Sequence, residues 1–256
     1  MIRFVYFSKT NKVQGTFVTI EHKPLGFSFF VCFIIKELRV KNVFSNICFM
    51  IWLSKEIVFP PHEVANEDGL IALGGDLSVQ RLICAYSNGI FPWYNEGEPI
   101  VWYSPPERMV LFPEEIRVSK SMRKVLRDTS FIITENKAFK EVIHKCKHIS
   151  RKGELGTWIT DEMEEAYVHL YLKGIAKSIE IWLNDELVGG VYGVDLGNGV
   201  FCGESMFSHV SNMSKVAFIH LAINGGYRLI DCQVYNDHLA SLGAREINRD
   251  SFLRML

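Results

Sequence analysis

The chain has 256 residues, 48% hydrophobic and 22% charged, with a formal net charge of -1. That length and mixture exclude a disordered or fibrous chain and allow one large folded domain or two smaller ones. A charge so near zero excludes an overall basic field for nucleic acid and leaves any such contact to a local patch.

Residues 1–49 are a compositional outlier. They carry seven Lys and Arg against two Glu, a net +5, so the remainder carries -6. Their apolar run, Leu25 to Ile35, has eleven residues. A membrane-spanning helix needs roughly 20. The run starts late for a secretory signal, and no small-residue cleavage site follows it. A membrane partner is therefore not expected. The six cysteines (Cys32, Cys48, Cys84, Cys146, Cys202, Cys232) form no C-x-x-C pair. They read as reduced thiols, which points to a cytoplasmic setting.

Past Leu53 the texture changes. Phe59-Pro60-Pro61 is a rigid turn. Gly69 to Gly75 holds a short apolar run, and Asp76 or Ser78 can cap a helix to about Ser87. Val101 to Tyr103 is a short strand ended by Ser104-Pro105. Met109 to Phe112 is a strand, Ser119 caps a helix to about Arg127, and Phe131 to Thr134 is a strand. Asn136 can cap a helix to about Lys147, and Asp161 one over 162–173 that Gly174 closes. Strands follow at 178–183, 187–196 and 200–207, the last two joined by Gly197-Asn198-Gly199, a tight hairpin signal. A helix over 212–224, a buried strand over 228–233 and a short helix near 236–242 complete the order. Gly189-Gly190 inside a strand marks a bulge or a close backbone approach, or simply a packing kink.

Few residues carry obvious chemistry. There is no H-E-x-x-H, and the spacing of His144, Cys146 and His148 does not suit one helix face, so no metal site is expected. Glu204 and Asp231 are carboxylates set in apolar strands. Such groups are costly unless paired or hydrogen-bonded. Period two puts Asp231 and Gln233 on one face, where they could orient an amine and take its proton or form a satisfied polar network at a sheet end. Trp93, Tyr94, Trp102, Tyr103 and Trp158 lie in turn-rich segments. Their rings could stack on a base or glue a small domain to a larger one. Lys173, Lys177, Lys215, Arg245 and Arg249 are candidate phosphate contacts or a solvated face.

Several strings are distinctive together: Phe59-Pro-Pro, Gly69-Leu-Ile-Ala-Leu-Gly-Gly-Asp-Leu-Ser78 and Asn88-Gly-Ile-Phe-Pro-Trp-Tyr94. Next come Trp102-Tyr-Ser-Pro105, Gly156-Thr-Trp-Ile-Thr160 and Leu187-Val-Gly-Gly-Val-Tyr-Gly193. The densest block is Phe201-Cys-Gly-Glu-Ser-Met-Phe-Ser208, Asn212-Met-Ser-Lys215 and Leu229-Ile-Asp-Cys-Gln233, followed by His238-Leu-Ala-Ser-Leu-Gly-Ala244. In this order, from about residue 50 to the C-terminus, the chain resembles the bacterial leucyl/phenylalanyl-tRNA–protein transferases.

The resemblance implies an α+β fold. A small N-terminal domain, residues 50–108, would pack on a GNAT-like acyltransferase domain with a mixed sheet, residues 109–256. It implies transfer of leucine or phenylalanine from leucyl-tRNA or phenylalanyl-tRNA to proteins with N-terminal Arg or Lys, marking them for degradation. No metal or coenzyme is implied, and a monomer is expected. By the family's pattern Asp231 acts on the incoming amine, directly or by holding it electrostatically, and Gln233 orients it. Trp93 and Trp158 match residues that hold the terminal adenosine. Glu204 lines the donor pocket and its surroundings, and Val191, Phe218, Leu221 and Ile230 match or neighbour its apolar wall.

Two rivals remain at this stage. A coenzyme-A-dependent N-acyltransferase needs a Gly-rich turn leading into a helix to cradle pyrophosphate, and Phe207 to Asn212 has no such glycines. A non-catalytic tRNA-binding module would keep the aromatics without needing Asp231. Residues 1–49 match nothing in the family, whose members start near the position of Met50. Two accounts follow: a wrongly extended start, or a real extension lying on the domain, a membrane surface or tRNA. The first expects few contacts between 1–49 and the rest.

Overall fold

The computed structural model describes residues 50–149 and 158–256, with the backbone of 2–5 and 18–20. The smaller sheet has six strands: β1 (Ile2–Val5), β2 (Val18–Ile20), β3 (Met50–Leu53), β4 (Leu70–Gly74), β5 (Phe91–Pro92) and β6 (Val101–Tyr103). Their order is β2-β1-β3-β4-β6-β5. Helix α1 (Val79–Ser87) starts at Ser78, whose Oγ accepts from the Arg81 backbone N–H. Asp76 does not cap it. Its carboxylate instead accepts from Ser78 N–H and pairs with Arg81. Arg81 is fully buried and also donates to the carbonyls of Ser54 and Glu56, fastening the segment after β3 to α1.

The expectation of few contacts from residues 1–49 is not met by the two strands described there. β1 pairs with β3 through Phe4–Ile51 and Val5–Met50, and β2 adds outside it. The rest of that segment, including the apolar run 25–35, lies outside the described residues.

The larger sheet has seven strands: β7 (Glu107–Leu111), β8 (Phe131–Glu135), β9 (Ala176–Leu183), β10 (Glu186–Asp195), β11 (Val200–Ser208), β12 (Leu229–Gln233) and β13 (Arg245–Asn248). The order is β13-β7-β12-β11-β10-β9-β8, mixed because β11 and β12 run parallel. The helices are α2 (Lys120–Leu126), α3 (Phe139–His148), α4 (Asp161–Leu172), α5 (Met213–Asn224), α6 (Asp237–Ala240) and α7 (Arg249–Leu253). β10 is buried over eight consecutive residues instead of alternating. Helices cover both its faces, α5 on one and α3 with α4 on the other, so neither face meets water.

Two caps differ from expectation. Thr160, not Asp161, caps α4 by accepting from Met163 N–H. Asn136 caps nothing. It takes a left-handed conformation and accepts from Ser178 N–H across the sheet. The buried carboxylate of Glu180 receives the Lys137 and Ala138 N–H groups ahead of α3 instead. The Gly197–Gly199 connection is a hairpin loop with both glycines at positive φ, braced by Asp195 and Asn198 side chains. Short strands β4, β5 and β13 and helix α7 escaped the sequence reading, being too brief to show a period.

Among the described residues no helix is long and apolar enough to cross a membrane. One apolar cluster runs from Ile71, Tyr86 and Trp102 of the small domain through Tyr167, Tyr192 and Phe252 of the large one. The two domains therefore share a core. Trp102 and Tyr94 belong to it at 0% and 5% exposure, so these rings are glue and not free platforms.

Candidate active site

Parallel pairing of β11 with β12 covers only Val200–Leu229, Phe201–Ile230 and Cys202–Asp231. Just beyond, both strands carry bulges. In β11, Gly193 pairs with Gly203 and Tyr192 with Ser205, leaving Glu204 as the extra residue. In β12, Val110 pairs with Asp231 and Met109 with Gln233, leaving Cys232 over. Bulges bend a strand and re-aim its side chains. Gln233 takes φ +63°, a left-handed conformation rare for a residue with a Cβ. Glu204 and Gln233 meet across this gap, Gln233 Nε2 donating to Glu204 Oε1 at 2.8 Å.

Glu204 is half-buried and receives three hydrogen bonds. Tyr86 of α1 donates to Oε1 at 2.7 Å, and Tyr167 of α4 to Oε2 at 2.7 Å. The two phenol oxygens also lie against each other. Burial raises the Glu204 carboxyl to about 7, against the tyrosine hydrogen bonds, which favour the ionised form. The same burial, with Glu204 nearby, pushes both phenols well above their ordinary range, so both stay protonated as donors.

Asp231 is fully buried and committed. Arg108 of β7 donates to it twice, Nε to Oδ1 and Nη2 to Oδ2, both at 2.7 Å. Gln233 N–H adds a third bond to Oδ1 at 2.9 Å. The Arg108 guanidinium lies 4.6 Å from the ring centroids of both Phe91 and Phe252, and its Nη1 donates to Gly89 O. The bulge at Cys232 breaks the period-two relation expected between Asp231 and Gln233, and their side chains address different partners.

The remaining expected residues fall into two groups. Val191 and Ile230 of the sheet come together with Phe218 and Leu221 of α5, each at most 3% exposed. Ile230 alternates with Asp231, so this cluster lies on the opposite sheet face from the Arg108 pair. A cavity of about 120 Å³ borders the cluster at Leu221, lined also by Ile179, Phe201, Lys177, Glu135 and Tyr227. Trp93 stands 44% exposed on the small domain and Trp158 is half-buried on the large one. Their neighbours join, Tyr94 Oη lying 3.3 Å from Thr160 Oγ1. The Gly189-Gly190 approach is to α5, since a Cβ on Gly189 would sit 2.5 Å from Met213 Cβ.

Of the candidate phosphate contacts, Lys177 pairs with Asp195, Arg245 with Glu115, and Arg249 donates to Ser104 O, while Lys173 is exposed. Cys146 is buried on α3 while His144 and His148 stack on its outer side. No metal-binding cluster is present among the described residues. Sequence reasoning missed Arg108, Tyr86 and Tyr167. The two tyrosines sit at core positions of their helices, and Arg108 follows a Pro-Pro-Glu turn.

Residues 110–256 match the sequence profile described as leucyl/phenylalanyl-tRNA protein transferase, and residues 75–106 match that of its N-terminal domain. The chain belongs to this family. A leucyl/phenylalanyl-tRNA–protein transferase of Flavobacterium johnsoniae is 58% identical over 210 residues, 81% of this chain and 99% of the relative. Those of Christiangramia forsetii and Syntrophus aciditrophicus are 51% and 54% identical, covering 81% and 80% of this chain and 100% and 86% of theirs. Among solved structures, a conserved protein of unknown function from Bacteroides thetaiotaomicron aligns with TM-score 0.41 at 12% identity over 54% of each chain. That likeness is too slight to argue from.

Proposed function

We propose that this chain transfers leucine or phenylalanine from the 3′ end of its charged tRNA to the N-terminal Arg or Lys of an acceptor protein, marking it for degradation. The observation that carries this reading is 58% identity to a relative of that name across 99% of its length. The reaction is aminolysis of an ester. The acceptor's neutral α-amine attacks the aminoacyl carbonyl, a C–N bond forms, and the C–O bond to the terminal ribose breaks. An enzyme of this type works mainly by placing the two reactants together.

Trp93 and Trp158 hold the terminal adenosine, a role supported for Trp93 by its 44% exposure. Val191, Phe218, Leu221 and Ile230 form the apolar wall that receives the donor side chain. Such a wall discriminates only modestly among large apolar groups, which suits a donor choice of two. Asp231 acts on the amine by electrostatic holding, because both its oxygens are already bonded to Arg108. Gln233 orients the amine at the gap beside Glu204. The domain division is 50–108 and 109–256, with 1–49 an atypical extension whose β1 pairs with β3. The setting is cytoplasmic.

The experiment offers purified protein an Arg-starting peptide with leucyl-tRNA in one arm and acetyl-coenzyme A in another. Gain of one leucine at the peptide N-terminus is the expected product. Acetylation would favour the coenzyme-A rival, and tRNA binding without any product would favour the binding module.

A further inference from the structure

The site holds two carboxylates, and they stand in opposite conditions. Asp231 is locked: a buried guanidinium bonds both its oxygens, and Gln233 N–H takes one of them again. Among the described residues Glu204 is bonded by neutral donors, and it is half-buried beside Gln233. We infer that Glu204 is the group that takes a proton from the acceptor's α-ammonium, with Tyr86, Tyr167 and Gln233 holding its carboxylate for the exchange. This rests on the transferase reading above.

The groups facing Glu204 come from every side. Tyr86 reaches it from α1, Tyr167 from α4 and Gln233 from β12, while Asp231 of β12, Arg108 of β7 and Cys202 of β11 act through space. Burial outweighs the phenol hydrogen bonds and sets the carboxyl at about 7. A peptide α-amine titrates ordinarily at about 7.7–8.0. Two groups so closely matched exchange a proton at little cost in either direction, which is what an acid–base partner requires. The bulge is what makes this meeting geometric, since it brings Glu204 onto Gln233 instead of leaving it in the β10 ladder.

The step balances as follows. The ammonium N–H bond breaks and its proton goes to a Glu204 oxygen, giving a neutral amine and a carboxylic acid. The amine lone pair forms the C–N bond. The second ammonium proton of the adduct leaves with the ribose oxygen as the C–O bond breaks. Glu204 then returns its proton to solvent.

This scheme has a kinetic signature. Ionised Glu204 makes the protonated amine usable, so kcat/KM for an Arg-starting peptide rises through an apparent value near 7 and holds above about 8, where the amine is already neutral. Without a base only the neutral amine reacts, and the rise comes later, through about 8. The measurement is kcat/KM against pH with excess leucyl-tRNA for the parent, Glu204→Gln and Tyr167→Phe. An acidic limb near 7 in the parent, a limb near 8 in Glu204→Gln with roughly 10²-fold or greater loss near neutrality, and a limb moved to higher pH in Tyr167→Phe are expected. The Tyr167→Phe shift follows because the lost hydrogen bond favours the ionised carboxylate, and it holds even should Glu204→Gln fold poorly. A parent profile that rises only through about 8, as in Glu204→Gln, or an unmoved limb in Tyr167→Phe, overturns the role of Glu204 and leaves the transferase reading standing. Absence of leucine transfer at every pH overturns both.

Discussion

Arg108 and Asp231 form a buried ion pair fully removed from water, 123 positions apart in the chain. Removing one member leaves the other charge buried alone, which costs ~3–5 kcal/mol. Asp231→Ala is therefore expected to lose transfer by ~10²–10⁴ and also to unfold at markedly lower urea concentration than the parent. Parental transfer by a folded Asp231→Ala protein would remove Asp231 from the site. Glu204 carries a different linkage. Its folded-state value, about 7, lies above the ordinary 4.5. Its contribution to stability is thus full at low pH and is lost as pH rises through about 7. Urea unfolding at acid and at mildly alkaline pH should show the parent losing stability with rising pH relative to Glu204→Gln. Equal slopes for the two proteins would mean that the carboxyl is not held in this way. Both acids were visible in the sequence, because a carboxylate inside an apolar strand needs a partner. The partners were not visible: Arg108 gains its meaning only when β7 lies against β12, and Tyr86 and Tyr167 look like ordinary core aromatics until α1 and α4 meet.

At the scale of elements, the order of strands and helices from residue 109 was legible from alternation, caps and glycines, because each of those elements is long enough to show its period. The bulges were not. An extra residue in a strand leaves no periodic mark in so short a run, yet the bulges at Glu204 and Cys232 decide which side chains meet at the gap. Gly189 was legible as a tight spot and its neighbour was not. The neighbour is the first turn of α5, the helix whose Phe218 and Leu221 cover Val191 and Ile230. Gly189→Ala places a Cβ 2.5 Å from Met213 Cβ. Such overpacking costs ~1–3 kcal/mol and must displace α5. A lowered melting temperature together with a raised KM for leucyl-tRNA is expected; an unchanged KM would separate α5 from the donor wall.

The whole molecule brings two domains to one core, and the candidate adenosine contacts come one from each. Trp93 lies on the small domain and Trp158 on the large, joined through Tyr94 and Thr160. Stacking on a base is worth ~1–3 kcal/mol. Trp93→Ala and Trp158→Ala should each raise KM for charged tRNA by roughly 5-fold to 150-fold, by conversion of that energy. Two unchanged constants would make the rings interdomain glue, the role that Trp102 and Tyr94 fill. The segment 1–49 tests the molecule from its other side. β3 keeps its parallel partner β4 when β1 and β2 are removed. A protein starting at Met50 should therefore match the full chain in solubility, melting temperature and transfer rate, and a large loss in any of the three would make the extension part of the enzyme. The central claim, aminoacyl transfer to a basic N-terminus, has a direct measurement: the mass of an Arg-starting peptide after incubation with this protein and leucyl-tRNA. The account predicts a gain of one leucyl residue at the free α-amine and none on the same peptide with that amine acetylated. An unchanged peptide mass while leucyl-tRNA is intact and the protein is folded would contradict it.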